Sequence, residues 1–252
     1  MPGSTVTLAL DFTIEKKWHI YSNSRNDNGF PPKAEWNLPA GFTVDAIQWP
    51  TPVRHVDPGD LLNHVYFDHI ALPVLLHVPS SAQPGTTATI KAKLSWLVCD
   101  ASCVGEDADV EIKLPIVKPG ESPAQSADAK KINEARARLP RELPANSKAV
   151  AITWSSSSVE VSVPGASRLL FHPDEDCVPF GAPIKDADIT GPKMTIHLGD
   201  PEQDHTALAG VLEIRREKDK SSGAGVAEFY RVHSTPKPES AKPDPAKPTM
   251  SP

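Results

Sequence analysis

No block of basic residues occurs in this 252-residue chain, whose 26 lysines and arginines are outnumbered by 32 aspartates and glutamates. Gripping phosphate backbones requires a cationic stripe, so nucleic-acid binding is excluded as the main function. Long hydrophobic runs are missing too. The longest clean apolar stretch is Ile70–Leu76, proline included, whereas a membrane span needs about 20 residues; the chain is not itself membrane-spanning. No signal peptide opens it, because Met1-Pro2-Gly3-Ser4 runs straight into the strand-like Thr5–Phe12, and the start reads as a mature or trimmed terminus. There is no G-x-S-x-G and no phosphate-cradling glycine loop, which removes the common serine-nucleophile and nucleotide signatures. Asp27 and Asn28 before Gly29 are turn formers rather than a catalytic carboxylate pair.

Proline is in excess, at 27 of 252 residues, about twice the usual share of roughly 5%. Because proline removes backbone donors and breaks helix interiors, long bundles and helix-rich α/β folds are disfavoured. Thr5–Ile14 alternates with period two, placing Val6, Leu8, Leu10 and Phe12 on one face, as a half-buried strand requires. Residues 22–41 carry loop chemistry, with Trp36 and Leu38 as inward anchors. Further strands are expected at Phe42–Trp49, Val65–Val78 (interrupted by Pro73), Thr86–Val98 and Asp109–Val117, an antiparallel sandwich pattern. Residues 1–118 form this first domain, and residues 119–148 a linker holding the one good helical stretch, Ala127–Leu139. Strand signals resume over 149–233 as a second, smaller β-domain. Residues 234–252, with six prolines, are expected to be a disordered or polyproline-like tail.

Cysteine is scarce: Cys99, Cys103 and Cys177. A bridge within CDASC needs the two Cα atoms roughly 4.4–6.8 Å apart, whereas an extended segment would separate them by about 13 Å. The chain must therefore turn, and Ala101 and Ser102 are small enough to allow it. So short a loop gains only about 2 kcal/mol from chain entropy, which favours a redox-labile bridge over a purely structural one. A quiet staple at a hairpin end stays open as the alternative. Parity along KAKLSWLVC puts Leu94, Trp96 and Val98 on one face and Lys91, Lys93, Ser95, Leu97 and Cys99 on the more polar other, so Cys99 is expected within a partner's reach. Asp100, Glu106 and Asp107 disfavour a thiolate by repulsion, so the pair is expected to await a partner's thiolate, with Cys103 the sulfur attacked. Cys177 is expected to be a free, partly buried thiol.

The motifs KKWHIYSNSRNDNGFPPKAEWNLPAGF, IQWPTPVR, IALPV and LSWLVCDASCV followed by EDADVEIKLP resemble, in order over residues 5–117, the amino-terminal periplasmic domain of the DsbD/ScsB thiol:disulfide interchange family, ScsB being the suppressor-of-copper-sensitivity variant. RLLFHPDED and LAGVLEIRR look like the second subdomain of ScsB-type ectodomains. The resemblance implies a mainly β fold of two immunoglobulin-like antiparallel β-sandwich domains with one short helix near the linker. It further implies a periplasmic or otherwise extracytoplasmic setting. Cys99 and Cys103 would be the redox pair, receiving electrons from a transmembrane redox domain of the same or another chain and passing them to thioredoxin-like redox proteins as a protein-disulfide reductase. Trp96 and Val98 would support the strand before the pair, with Asp100 beside it. Tyr66 or Phe67 would supply the aromatic of a cap loop, and His19 would pack or hydrogen-bond.

No cofactor is implied. Five histidines (His19, His55, His64, His69 and His77) precede residue 80, and thiolate with imidazole suits copper(I) or zinc. A copper-binding or copper-tolerance module using reduced Cys99 and Cys103 is therefore the second reading, although no His-x-His or His-x3-His pair stands beside the cysteines. An interaction module with a structural disulfide is the third.

Overall fold

The computed structural model describes residues 1–121, 126–144, 149–200, 206–217 and 227–236. The chain is mainly β, arranged as antiparallel sheets in two units. The first begins with β1 (Thr5–Thr13), β2 (His19–Tyr21), β3 (Lys33–Asn37) and β4 (Thr43–Val44). β5 (Val53–Asp57), β6 (Leu61–Phe67), β7 (His69–His77), β8 (Thr87–Cys99) and β9 (Cys103–Pro115) complete it. One sheet has the order β1-β7-β4; the other runs β3-β8-β2-β6-β5, with β9 on the remaining edge of β8. Their facing sides share a core of Leu10, Phe12, Ile20, Tyr66, Leu72 and Leu94, continued by Leu8, Leu76 and Ile90. Burial of each such side chain contributes about 1.5–3 kcal/mol.

The apolar run expected over Val65–Val78 is two strands in different sheets. Asp68 breaks it with φ +58°, a left-handed turn that aspartate tolerates better than most residues. Pro73 sits opposite Ala9 in β7. Its carbonyl accepts Gln48 N–H at 2.8 Å, so the donor it lacks falls on the side where β4 has already stopped. The strand expected over Phe42–Trp49 narrows to Thr43–Val44, and two loop amides, Asp45 and Gln48, take over the pairing with β7.

The linker region is used by both units. Helix α1 (Ala129–Ala137) follows the expected helical stretch, and Lys131 on it bonds Asp11 of β1 at 2.8 Å. Strand β10 (Arg141–Glu142) then adds in parallel to β17 (Ala227–Ser234) of the second unit. That unit also holds β11 (Ala151–Trp154), β12 (Ser158–Ser162), β13 (Arg168–Pro173), β14 (Asp188–Thr190), β15 (Lys193–His197) and β16 (Leu208–Arg215). Its sheets run β10-β17-β16-β13-β14 and β11-β12-β15 around Val159, Leu169, Phe171, Met194, Ile196 and Leu212. The expectation of a single helix is corrected: α2 (Pro183–Asp186) is a second. Four residues are too few for a helical period, and Pro183 at the first turn is its one sequence signal. Residues 237–252 of the expected tail lie outside the described residues.

Polar groups hold the two units together. Arg25 bonds the carbonyls of Glu175 and Cys177 at 2.8 and 2.6 Å. Arg54 bonds that of Pro183 at 2.7 Å and pairs with Asp188 at 3.7 Å. His64 and His172 meet with ring centroids 5.4 Å apart. Among the described residues no helix is long and apolar enough to cross a membrane.

Candidate functional site at the cysteine hairpin

β8 and β9 form one long hairpin. The pairing of Thr87 with Pro115 continues in register to Cys99 with Cys103. The segment after Cys99, expected to separate two strands, is itself mostly strand; only Asp100, Ala101 and Ser102 turn, and Asp100 N–H bonds Ser102 O at 3.2 Å. Direct cross-strand partners share a face, so the two cysteines form a disulfide with Cα atoms 4.1 Å apart.

The face follows the expected parity. Trp96 and Val98 pack into the inter-sheet core, where Trp96 meets Phe12 edge-on at 5.3 Å. Leu97 and Cys99 lie on the other face with Tyr21, Val65 and Phe67. That face is not open at Cys99, and the expectation that Cys99 would be within a partner's reach is corrected. Cys99 is 2% exposed, because β2 lies against that end of β8 with His19 opposite Cys99, and Tyr21 follows two residues on. Cys103, on the edge strand, is exposed.

Residues 22–32 cover Tyr21, which itself packs over Cys99. β2 and β3 bond successive stretches of the same β8 edge, and the segment between them folds back over the ring of Tyr21. Gly29 adopts φ +76°, and a Cβ there would overlap that ring. Asn28 holds the fold-back: its Oδ1 accepts Tyr21 Oη at 3.3 Å and Asn63 Nδ2 at 2.7 Å, and its N–H donates to Asn63 Oδ1 at 3.2 Å. Tyr21 Oη also lies 3.8 Å from Cys103 Sγ. A bridged sulfur carries no proton, so it competes with Asn28 Oδ1 as an acceptor for the one hydroxyl proton of Tyr21. Burial and the charge of Asp57 push the Tyr21 phenol up, keeping it a neutral donor.

Tyr66 and Phe67 part company, as neighbours on a strand must. Phe67 faces the site, its ring 5.6 Å from His19 and 5.3 Å from His55. Tyr66 points the other way, 2% exposed in the core and donating to Pro50 O at 2.5 Å; it is no part of a cap. Asp100 is exposed in the turn. His19 is 2% exposed, and its Nε2 is buried without a partner. Burial holds its imidazole below the usual range, aided by His55 and opposed by Asp57 and Asp100.

The sequence does not single out Tyr21, Asn28, Gly29, Asn63 or Asp57 as site residues, and it offers His55 only as a metal ligand. For Tyr21 a signal existed, since period two from His19 puts both on one face; the others need the β2–β6–β5 pairing. Cys177 is free and fully buried in the second unit, and burial pushes its thiol up to about 12. Among the described residues no group of three or more histidine, cysteine or acidic side chains could hold a metal ion.

Residues 1–115 match the family described as thiol:disulfide interchange protein DsbD, N-terminal. No curated protein matches the chain. Among solved structures, the crystal structure of the N-terminal periplasmic domain of ScsB from Proteus mirabilis is similar with a TM-score of 0.59 and 14% identity, covering 93% of this chain and 90% of that one. At that identity the likeness is one of fold.

Proposed function

Since residues 1–115 belong to the DsbD amino-terminal family, we propose that this chain is a periplasmic thiol–disulfide exchange module working through Cys99 and Cys103. Its two units are then immunoglobulin-like sandwiches, the first redox-active and the second orienting it. The observation that carries the reading is the burial asymmetry across the bridge, with Cys103 exposed on the edge strand and Cys99 2% exposed beneath Tyr21. A staple has no need to present one sulfur and hide the other.

An incoming thiolate attacks Cys103 Sγ, its lone pair forming the new S–S bond. The electron pair of the old bond leaves on Cys99 Sγ. A second thiol of the reductant then resolves the mixed disulfide, leaving both cysteines reduced. Run in reverse, Cys103 attacks the disulfide of a thioredoxin-like target and Cys99 resolves. Electrons enter from a transmembrane redox domain and leave to such targets. Phe30, beside Gly29 and 46% exposed, offers a docking partner an apolar contact.

The test is trapping. Cys99→Ser keeps the exposed sulfur and should accumulate a mixed disulfide with a thioredoxin-like protein, whereas Cys103→Ser should not. The bridge's potential should lie above the roughly −300 mV typical of structural disulfides. Equal trapping by both variants, or a potential below that mark, overturns the proposal.

A further inference from the structure

His19 is more than packing beside the bridge. Resting on the exchange reading above, we propose that His19 holds the proton for Cys99, taking one up as the bridge opens and giving it back as the bridge closes. In the β2–β8 ladder His19 stands directly opposite Cys99, and such partners share a face with Cβ atoms about 4.5–5.5 Å apart. The residue is 2% exposed, and its Nε2 is buried with no hydrogen-bond partner. Native interiors rarely leave such an atom unpaired, and an apolar ring would fill the space without one.

The reaction makes the demand that this atom can meet. Attack on Cys103 Sγ expels Cys99 Sγ as a thiolate, with no proton moved in that step. The new anion lies under Tyr21, Val65 and Phe67, where burial disfavours charge. One proton from water neutralises it. His55 supplies a route, since it is 37% exposed and 3.2 Å from Asp57, with its ring 5.3 Å from that of His19. The proton passes to His19, either remaining there as the thiolate's counter-charge or moving on to sulfur. When Cys99 attacks a mixed disulfide the proton retraces this path. The titratable groups facing His19 are Tyr21 on its own strand, His55 and Asp57 on β5, and Asp100 from the turn after β8; β6 contributes the uncharged Phe67. Burial, the largest influence, favours the neutral ring and His55 adds to it, while Asp57 and Asp100 favour the protonated one.

Reduced glutathione is the probe, because it opens the bridge without any protein partner. His19→Gln and His19→Phe should slow bridge reduction at neutral pH by about tenfold or more. The ratio of variant to wild-type rate, in which the glutathione thiolate fraction cancels, should vary with pH through the imidazole range. In the wild-type protein the His19 ring-nitrogen resonances should move toward the protonated form on reduction. Unchanged rates in His19→Gln, a flat ratio, or a His19 spectrum that ignores reduction each overturn the proposal. If His19→Phe fails to fold, His19→Gln and the wild-type spectrum still decide. Failure of trapping with a thioredoxin-like protein, with these glutathione effects intact, would instead retire the exchange partner and leave the role of His19 standing.

Discussion

Replacing Gly29 by alanine tests how the cover over the bridge is held. Gly29 has φ +76°, and a Cβ would clash with the Tyr21 ring at its hydroxyl end. An L-residue in that left-handed conformation costs about 1–2 kcal/mol. The overlap can be relieved only if the ring moves or the loop lifts. Lifting breaks the bonds that Asn28 makes with Tyr21 at 3.3 Å and with Asn63 at 2.7 and 3.2 Å, each worth about 1 kcal/mol net. Asn63 is fully buried, so its amide is not simply returned to water. The expected loss is about 4 kcal/mol, read by urea denaturation of the oxidised protein. The same lifting frees Tyr21, which packs over Cys99, so glutathione should reduce the variant faster than the wild type. A loss below about 1 kcal/mol with an unchanged reduction rate would refute the account of the 22–32 loop as the cover.

Three further outcomes follow from the second unit and its junction with the first. His64 and His172 are buried side by side, and burial holds both imidazoles below 6.5, with the charge of His172 adding to the effect at His64. The unfolded chain therefore binds protons first as pH falls below 6.5, and stability is lost from there downward by up to about 1.4 kcal/mol per pH unit for each histidine; His172→Phe should flatten the slope in urea titrations at several pH values, and an equal slope would dismiss the pair as its source. Arg54→Met takes the donor from the carbonyls of Pro183 and Ile184, while Asp188 keeps its two bonds to Arg168, at a cost of about 1–3 kcal/mol; calorimetry should show the two units melting apart, and a single unshifted transition contradicts it. Cys177, with its thiol near 12, should resist iodoacetamide in the native protein and react once unfolded; native labelling as fast as that of reduced Cys103 would be inconsistent with its burial.

Strand parity was the most legible feature. It put Trp96 and Val98 on one side of β8 and Leu97 and Cys99 on the other, and the clusters agree. What parity cannot supply is a neighbour: polar companions such as Lys93 and Ser95 made the Cys99 face look open, yet β2 closes its last residues. The Tyr66–Phe67 ambiguity has the same origin, because only the pairing of β6 with β2 decides which ring meets His19. The linker was legible as a composition change but not as structure, since α1 is held by a tertiary ion pair with Asp11 and β10 by two residues of β17. Gly29 carried a turn signal in the sequence, but its reason is the tyrosine ring beneath it, which local spacing does not reveal.

The unequal exposure of two sulfurs in one short loop has a topological cause. Cross-strand partners must share a face, so parity alone would expose or bury them together. They differ because β8 has neighbours on both edges, whereas among the described residues β9 pairs only with β8. Side chains of β2 therefore roof Cys99, and among the described residues no strand flanks Cys103 beyond the edge. Attack on a disulfide proceeds along the S–S axis, from the side opposite the departing sulfur. At Cys103 that line runs toward the free edge of β9; at Cys99 it would run toward β2, where His19 stands opposite. In the proposed exchange the sheet order thus selects the sulfur, and His19, on the side where the other line of attack is closed, is placed to receive the charge it releases.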